Sequence, residues 1–132
     1  MISSTKNDQV KMVVELRKKA KARNEAGLFV AEGLRMVSEL PPDRAWRLYV
    51  SERFLKKREN AGLLERFSRY EIVTDQVFSA MSDTQTPQGI LALAKQYEYV
   101  LSDLLSAPGP AHLMILENLQ DPGNLGTILR AG

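Results

Sequence analysis

The sequence contains no cysteine and only one histidine, His112. Without cysteine the chain can form no disulfide and offers no thiolate for catalysis or metal ligation, and a single imidazole argues against a histidine-based metal site. No apolar run approaches the roughly 20 residues that span a bilayer, and the polar N-terminus is unlike a signal peptide. We therefore expect a cytoplasmic protein that binds neither metal nor membrane.

The remaining composition is that of a globular protein. Of the 132 residues, 44% are hydrophobic and 26% are charged, which provides enough apolar side chains for a core. This length suits one domain of about 100 to 200 residues and leaves little room for two complete ones. A second domain within this sequence would therefore be partial.

The charges are divided unevenly along the chain. Residues 1–70 carry 16 Lys and Arg against 9 Asp and Glu, a balance of +7, whereas residues 71–132 carry 2 against 7, a balance of −5. A strongly basic first half favours a polyanionic partner such as nucleic acid. A solvated charged surface without any partner explains the same numbers.

The first 95 residues alternate predicted helices and strands. Helical spacing and capping residues predict helical segments at 7–23, 34–40, 52–68 and 75–81. The third of these is expected to be interrupted at Asn60-Ala61-Gly62. Apolar runs and alternation predict strands at 28–31, 46–50, 70–73 and 90–94. This order indicates an α/β fold, a small sandwich with a mixed sheet.

The alternation of predicted helices and strands stops at residues 96–110. This segment ends in a Pro-Gly-Pro sequence and is the best candidate for a domain boundary. Beyond it, Leu113–Leu116 is predicted to form a buried strand, followed by a loop and a helix that begins near Asn124. His112, at the start of that strand, is interpreted as structural. We expect a domain at 1–95, a linker at 96–110 and a domain fragment at 111–132.

Special residues are densest in the segment 119–130. Its Asp-Pro-Gly sequence forms a tight turn after the predicted strand, where open α/β sheets bind ligands, and Asn124 can cap the next helix. A turn, a cap and a glycine in the first helical turn also explain the segment without any function. Two glycines three residues apart, ending at Gly126, are only a weak phosphate-binding signal, and nucleotide-binding glycine motifs are absent.

The same segment resembles a known motif. Asn124-x-Gly126-Thr-Ile-x-Arg130, preceded by Leu-Gln-Asp-Pro-Gly, is similar to the first motif of the SpoU (TrmH-like) family of RNA 2′-O-ribose methyltransferases. Three upstream stretches, within 2–11, 27–33 and 82–92, look like landmarks of the substrate-binding region that precedes the catalytic domain in many members. The resemblance covers essentially the whole chain in the right order.

The resemblance implies a fold and a reaction. The fold would be an α/β domain like that of kink-turn-binding ribosomal proteins, followed by the first strand and helix of a truncated SPOUT domain, whose trefoil knot lies further on. Such enzymes, usually homodimers, transfer a methyl group from S-adenosylmethionine to a ribose 2′-hydroxyl of RNA. By motif match, Arg130 corresponds to the arginine proposed to contact RNA phosphate and to help activate that hydroxyl, and Asn124 corresponds to the asparagine that helps to order the site. Because arginine stays protonated, its role would be electrostatic; a surface ion pair is the alternative.

The family's second and third motifs, which build the knot and most of the cofactor pocket, lie downstream of the first. We therefore expect a methyltransferase of RNA, ribosomal RNA in particular, in the full-length protein, and an inactive monomer without a cofactor pocket in this chain alone. A free-standing RNA-binding module and a structural fragment with solvated charges are the alternatives.

The candidate RNA contacts are Lys6, Lys11, Lys18, Lys19, Lys21, Arg23 and Glu32. The basic members lie on the predicted first helix or just before it. They cannot all be buried, so they stand in water or against phosphates. Glu32 matches a family landmark, and a local cap or salt bridge is an equal alternative for it.

Overall fold

The structure is a computed structural model that describes residues 1–110 and 112–132. It divides into two compact units, Met1–Tyr97 (unit 1) and Glu98–Gly132 (unit 2). Unit 1 contains the sheet and the hydrophobic core. Unit 2 contains two helices, described separately below.

Unit 1 is a mixed α/β fold, which confirms the predicted class. Its helices are α1 (Asp8–Lys18), α2 (Ala20–Ala26), α3 (Leu34–Glu39), α4 (Glu52–Lys56), α5 (Ala61–Leu64) and α6 (Asp75–Met81). Its strands are β1 (Leu28–Glu32), β2 (Ala45–Ser51), β3 (Glu71–Val73) and β4 (Ile90–Lys95). Two short 3-10 turns, Pro42–Arg44 and Arg58–Asn60, connect these elements.

The four strands form one sheet in the order β1-β4-β2-β3. Strand β4 is antiparallel to both of its neighbours, whereas β2 and β3 are parallel. It follows that β1, β2 and β3 all end at one edge of the sheet, the carboxyl edge, and begin at the opposite one, the amino edge. Ile2 adds a parallel bridge to Val73 at the outer side of β3.

The sheet is buried on both faces. Helices α1 and α6 contribute to one core cluster, which contains Val13, Phe78 and Leu91. Helices α3, α4 and α5 contribute to a second cluster, which contains Val37 and Phe54. Strand β4 supplies residues to both clusters, as expected for a continuous apolar run.

Three predicted helix caps are confirmed. The Asn7 side chain accepts a hydrogen bond from the Gln9 backbone N–H (2.8 Å), and Thr74 Oγ1 accepts one from Val77 (3.2 Å). At α4, Ser51 Oγ accepts from the Phe54 N–H at 3.1 Å. These side chains satisfy backbone donors that have no partner within their own helices.

The helix predicted at 7–23 is divided, so that part of the prediction is wrong. Lys19 adopts an extended conformation (φ −119°, ψ 115°) between α1 and α2. The Arg23 guanidinium reaches back and donates to the carbonyls of Leu16 (2.9 Å) and Arg17 (3.0 Å). Carbonyls left without helical partners at the end of α1 are thereby satisfied, which makes the break tolerable.

The interruption predicted at Asn60-Ala61-Gly62 is also misplaced. The chain is extended at Lys57, and residues 60–62 are helical. Asn60 is buried, and its Nδ2 donates to the Phe54 carbonyl at 2.8 Å. This side chain therefore satisfies a backbone carbonyl near the end of α4, a role that its frequency in turns does not reveal.

The regular alternation expected in β2 fails: its first three residues are half-buried or exposed, and its last four are all buried. A register shift against β4 falls between Ala45 and Arg47. Trp46 is 39% exposed, whereas Tyr49 is fully buried. A bulge re-aims side chains relative to the sheet, so Trp46 does not share the burial of Leu48.

Unit 2 contains α7 (Leu101–Leu105) and α8 (Pro122–Ala131). The buried strand predicted at Leu113–Leu116 is wrong: these residues form no strand and are exposed, as is His112 before them. A strand needs a hydrogen-bonding neighbour, and the described residues of unit 2 include none.

Helix α8 begins two residues earlier than predicted. Its cap is Asp121, whose Oδ1 accepts from the Gly123 N–H at 2.8 Å, rather than Asn124. Pro122 occupies the first helical position, where its missing N–H is not needed. Across residues 1–110 and 112–132, no helix is long and apolar enough to cross a membrane.

Candidate RNA-binding surface

The outer side of α1 carries two lysines with one acidic residue, Glu15, between them, and all three line the same groove. Val10, Val13 and Leu16 face the core, which leaves Lys11 and Lys18, seven positions apart, on the exposed side. Both lysines line an open groove of about 440 Å³. The predicted helical pattern therefore positions these two ammonium groups on one accessible surface.

The candidate lysines differ in their ionic partners. Lys19 Nζ lies 3.0 Å from the Glu15 carboxylate, and Lys21 Nζ lies 3.9 Å from that of Glu25. Among the described residues, no carboxylate lies within 4.0 Å of the other three, which are Lys6, Lys11 and Lys18. Exposed pairs contribute little, so all five can meet phosphate, but these three have no competing ion pair.

The other two candidates, Arg23 and Glu32, are brought together in a second groove of about 390 Å³. Glu32 accepts hydrogen bonds from the Ser82 hydroxyl (2.5 Å) and the Asp83 backbone N–H (3.2 Å). The carboxylate therefore holds the loop 82–88, between α6 and β4, to the end of β1, which is neither the local cap nor the salt bridge considered from the sequence. Arg23 likewise has a structural role, at the end of α1.

Arg17, which the sequence placed among the basic residues of the first helix expected in water or against phosphates, instead joins this arrangement. Its Nη1 donates to the Met81 carbonyl at 2.8 Å, and its Nε lies 4.0 Å from the Asp83 carboxylate. The Met81 partner is 64 positions away along the chain, so no local spacing predicts the contact. Arg17 and Glu32 together hold α1, α6 and the loop 82–88 in a fixed arrangement.

A buried phenol joins α1 to the sheet. The Tyr49 hydroxyl in β2 donates to Gln9 Oε1 at 2.8 Å. Burial raises the pKa of Tyr49, and the nearby Arg47 guanidinium opposes that rise. The first turn of α1 is therefore anchored by a neutral hydrogen bond.

In unit 2, α8 carries the two candidate catalytic residues. Arg130 Nη2 donates to Thr127 Oγ1 at 3.5 Å, and its guanidinium lies against Gly126, where an added Cβ would be 3.2 Å from Nη1. Asn124 is exposed. Six helical positions place Asn124 and Arg130 about 120° apart around the axis, so α8 alone does not aim them at one point.

The described residues do not fit a cofactor of the size of S-adenosylmethionine in unit 2. None of its described side chains is buried, whereas sites for such ligands bury most of the ligand surface. Across residues 1–110 and 112–132 there is also no group of three or more His, Cys, Asp or Glu residues that could hold a metal ion.

Known proteins with this fold define the class. Over 98% of its length the chain is similar to a crystal structure of an RNA 2′-O ribose methyltransferase, with a TM-score of 0.70, 26% identity and coverage of 50% of that protein. An AdoMet-bound rRNA methyltransferase from Sinorhizobium meliloti is similar over 77% of this chain and 38% of its own, with a TM-score of 0.56 and 25% identity. The fold is thus shared with a part of such methyltransferases, half of the first chain and 38% of the second.

A match to a family of substrate-binding domains identifies the chain more closely than its fold does. Residues 7–92 match the MRM3-like substrate binding domain. The chain belongs to this family of substrate-binding domains of SpoU/TrmH-type RNA 2′-O-methyltransferases, as its sequence motifs indicate. It is 30% identical over 131 residues to the 23S rRNA (guanosine(2553)-2′-O)-methyltransferase RlmP of Bacillus subtilis strain 168, covering 98% of this chain and 48% of that protein. The chain thus spans about half the length of this relative.

Proposed function

We propose that unit 1 binds the RNA substrate of a ribose 2′-O-methyltransferase, and that this substrate is ribosomal RNA. One observation carries the proposal: the family match at 7–92 includes the exposed face of α1, where no described carboxylate lies within 4.0 Å of Lys11 or Lys18. When such lysines contact phosphates, the counterions condensed on the RNA are released, which favours binding.

The RNA recognised would be folded and looped, as for kink-turn-binding ribosomal proteins. Sequence-specific RNA recognition targets loops and bulges more than regular duplex. Lys11 and Lys18, two helical turns apart, are about 10 Å from each other along α1. They would contact the backbone of one strand, while Arg17 and Glu32 keep the neighbouring loop 82–88 in place.

We assign unit 2 to the opening part of the catalytic domain. When bound, S-adenosylmethionine supplies the methyl group for the ribose 2′-hydroxyl. Arg130 would hold a phosphate of the target and stabilise negative charge that develops on the hydroxyl oxygen, and Asn124 would order the site. Because α8 does not aim the two together and unit 2 buries no described side chain, catalysis needs residues beyond these.

Calorimetry tests whether binding of S-adenosylmethionine needs residues beyond those of unit 2. The chain alone, which we take to be a monomer, should show no specific heat with S-adenosylmethionine and no methyl transfer to ribosomal RNA. Stoichiometric, tight binding of the cofactor to this chain would contradict the assignment of the pocket to other residues.

Substitution of Lys11 and Lys18 tests the RNA contact. The double variant Lys11→Ala/Lys18→Ala should weaken binding of a 23S rRNA fragment and lower the slope of log affinity against log salt by about 2, since each lysine contributes about one phosphate contact. Binding would be measured by fluorescence anisotropy at several salt concentrations.

A matched control is Lys56→Ala/Lys57→Ala. It removes the same charge from exposed residues at the end of α4, a helix that belongs to the other core cluster. The control should keep the wild-type salt slope. Equal losses in both double variants would show that net charge, rather than the α1 surface, determines binding.

A further inference from the structure

A groove at the amino edge of the sheet combines aromatic and basic side chains. Its volume is about 320 Å³, and it is formed where β2 and β3 begin and β4 ends. The side chains that give it its character are Trp46, Arg47, Arg69, Tyr70 and Lys95. None of them belongs to the candidate contacts on α1 or to the loop 82–88.

Two of the three aromatic residues that line this groove are exposed, whereas the third, Phe67, is buried. Trp46 and Tyr70 are each 39% exposed. Phe54 and Phe78, by contrast, are almost fully buried in the core. Burial of a large ring is strongly favourable, so two half-exposed rings lining one concave surface suggest a planar ligand as their partner.

The cations of the groove also lack ionic partners. Among the described residues, no carboxylate lies within 4.0 Å of Arg47, Arg69 or Lys95. Glu71 is the acidic residue among those lining the groove, which leaves an excess of positive charge. The Arg47 guanidinium lies over the Trp46 ring, 4.4 Å from its centroid, and a ring covered on one face can still stack a ligand on the other.

Exposed rings beside unpaired cations match the chemistry of an unpaired nucleotide. Single-stranded nucleic acid is held by stacking of its bases on aromatic side chains and by basic groups along its backbone. A regular duplex keeps its base faces hidden and could use only the cations. A concave surface of this size accommodates a single base with its sugar and phosphate.

We propose that this groove binds an unpaired nucleotide of the RNA, with the base stacked on Trp46 and Tyr70 and the phosphates near Arg69 and Lys95. The inference rests on the proposed RNA-binding function of unit 1. It adds a second contact region, at the amino edge, with a different preference: unpaired bases rather than backbone charge alone.

Trp46 is the only tryptophan of the chain, so its fluorescence reports directly on the groove. Titration of the 132-residue chain with a short oligouridylate should quench this fluorescence, because a stacked base quenches an indole ring. A duplex RNA of equal length should quench it much less. Strong quenching by the duplex, or none by the single strand, would overturn the proposal.

Substitutions separate stacking from charge. Trp46→Leu should weaken binding of a labelled oligouridylate about tenfold, a mid-range effect for one stacked base, and Trp46→Phe should restore part of it. Arg69→Ala should reduce the salt slope by about 1. The control Arg35→Ala removes an exposed arginine on α3 that pairs with Glu39, and should change neither quantity.

The two proposals fail differently. Loss of affinity for the rRNA fragment in Lys11→Ala/Lys18→Ala, together with unchanged oligouridylate binding in Trp46→Leu, would overturn the groove and leave the α1 surface standing. Binding of oligouridylate that needs Trp46, with wild-type rRNA binding by the lysine variant, would support the groove and overturn the α1 surface. A chain that binds no RNA would overturn both.

Discussion

Replacement of Gly89 by alanine should destabilise unit 1 severely. Gly89 precedes β4 with φ +95°, and an added Cβ would overlap Ser51 Oγ and lie 3.1 Å from Phe54 Cβ. The backbone conformation alone costs an L-residue about 1–2 kcal/mol. Displacing Ser51 removes the cap of α4, about 1 kcal/mol, and crowding against Phe54 adds about 1–2 kcal/mol. The expected loss is about 3–5 kcal/mol.

Two other glycines separate these contributions. Gly27 has φ +66°, and Gly62 lies in α5 without a positive φ; at both positions an added Cβ would have no neighbour within 4 Å. Gly27→Ala should therefore lower the free energy of unfolding by only about 1–2 kcal/mol. Gly62→Ala should raise it by about 0.5–1 kcal/mol, because alanine lowers the entropy of the unfolded state.

Urea unfolding followed by Trp46 fluorescence measures all three variants. With an m-value of about 1–3 kcal/mol per molar urea, Gly89→Ala should lower the midpoint by at least about 1 M. Equal midpoints for Gly89→Ala and Gly27→Ala would contradict this prediction, because the overlap with Ser51 would then have no energetic effect.

Two further predictions concern single side chains. Folding raises the pKa of Tyr49 above its ordinary 10.0, so the folded state holds this proton more tightly than the unfolded state. The resulting contribution to the free energy of unfolding is complete below pH 10. It is lost as pH rises through the folded pKa. Tyr49→Phe, which cannot ionise, should be less stable at neutral pH by about 1 kcal/mol, and its deficit relative to wild type should shrink above about pH 10 in urea titrations; a constant deficit would contradict this. Glu32→Ala removes the carboxylate that accepts from the Asp83 N–H, so hydrogen exchange at Asp83 should accelerate several-fold, with Glu39→Ala as the control that leaves it unchanged.

The elements that the sequence predicted well are those determined by adjacent residues. Helix α6 has its cap at Thr74 and its core residues at helical spacing. Strand β4 is a continuous apolar run, and only a strand covered on both faces buries every residue of such a run. Nothing distant needs to be known for either element.

The failures depend on distant or absent partners. The break at Lys19 involves no proline or glycine, and it is supported by Arg23 reaching back over α1. The run Leu113–Leu116 has strand composition, but the described part of unit 2 offers no strand to pair with. The register shift near Trp46 arises from pairing with β4, more than 40 positions away.

One part of the candidate RNA-binding surface could be predicted from adjacent residues, and another part could not. The lysines of α1 follow from helical periodicity, which places Lys11 and Lys18 on one side. The amino-edge groove does not, because Trp46, Tyr70 and Lys95 come from three separate parts of the chain. Only the sheet order brings them together.

That sheet order also constrains how unit 1 can form during synthesis. Strands β1 and β2 do not pair with each other, because β4, the last strand to be made, is inserted between them. A nascent chain that has reached only residue 85 therefore holds two buried-type strands with unpaired backbone edges, which invites aggregation or chaperone capture. Cooperative folding must wait until Ile90–Lys95 has left the ribosome, by which time all the basic residues of unit 1 have already been made.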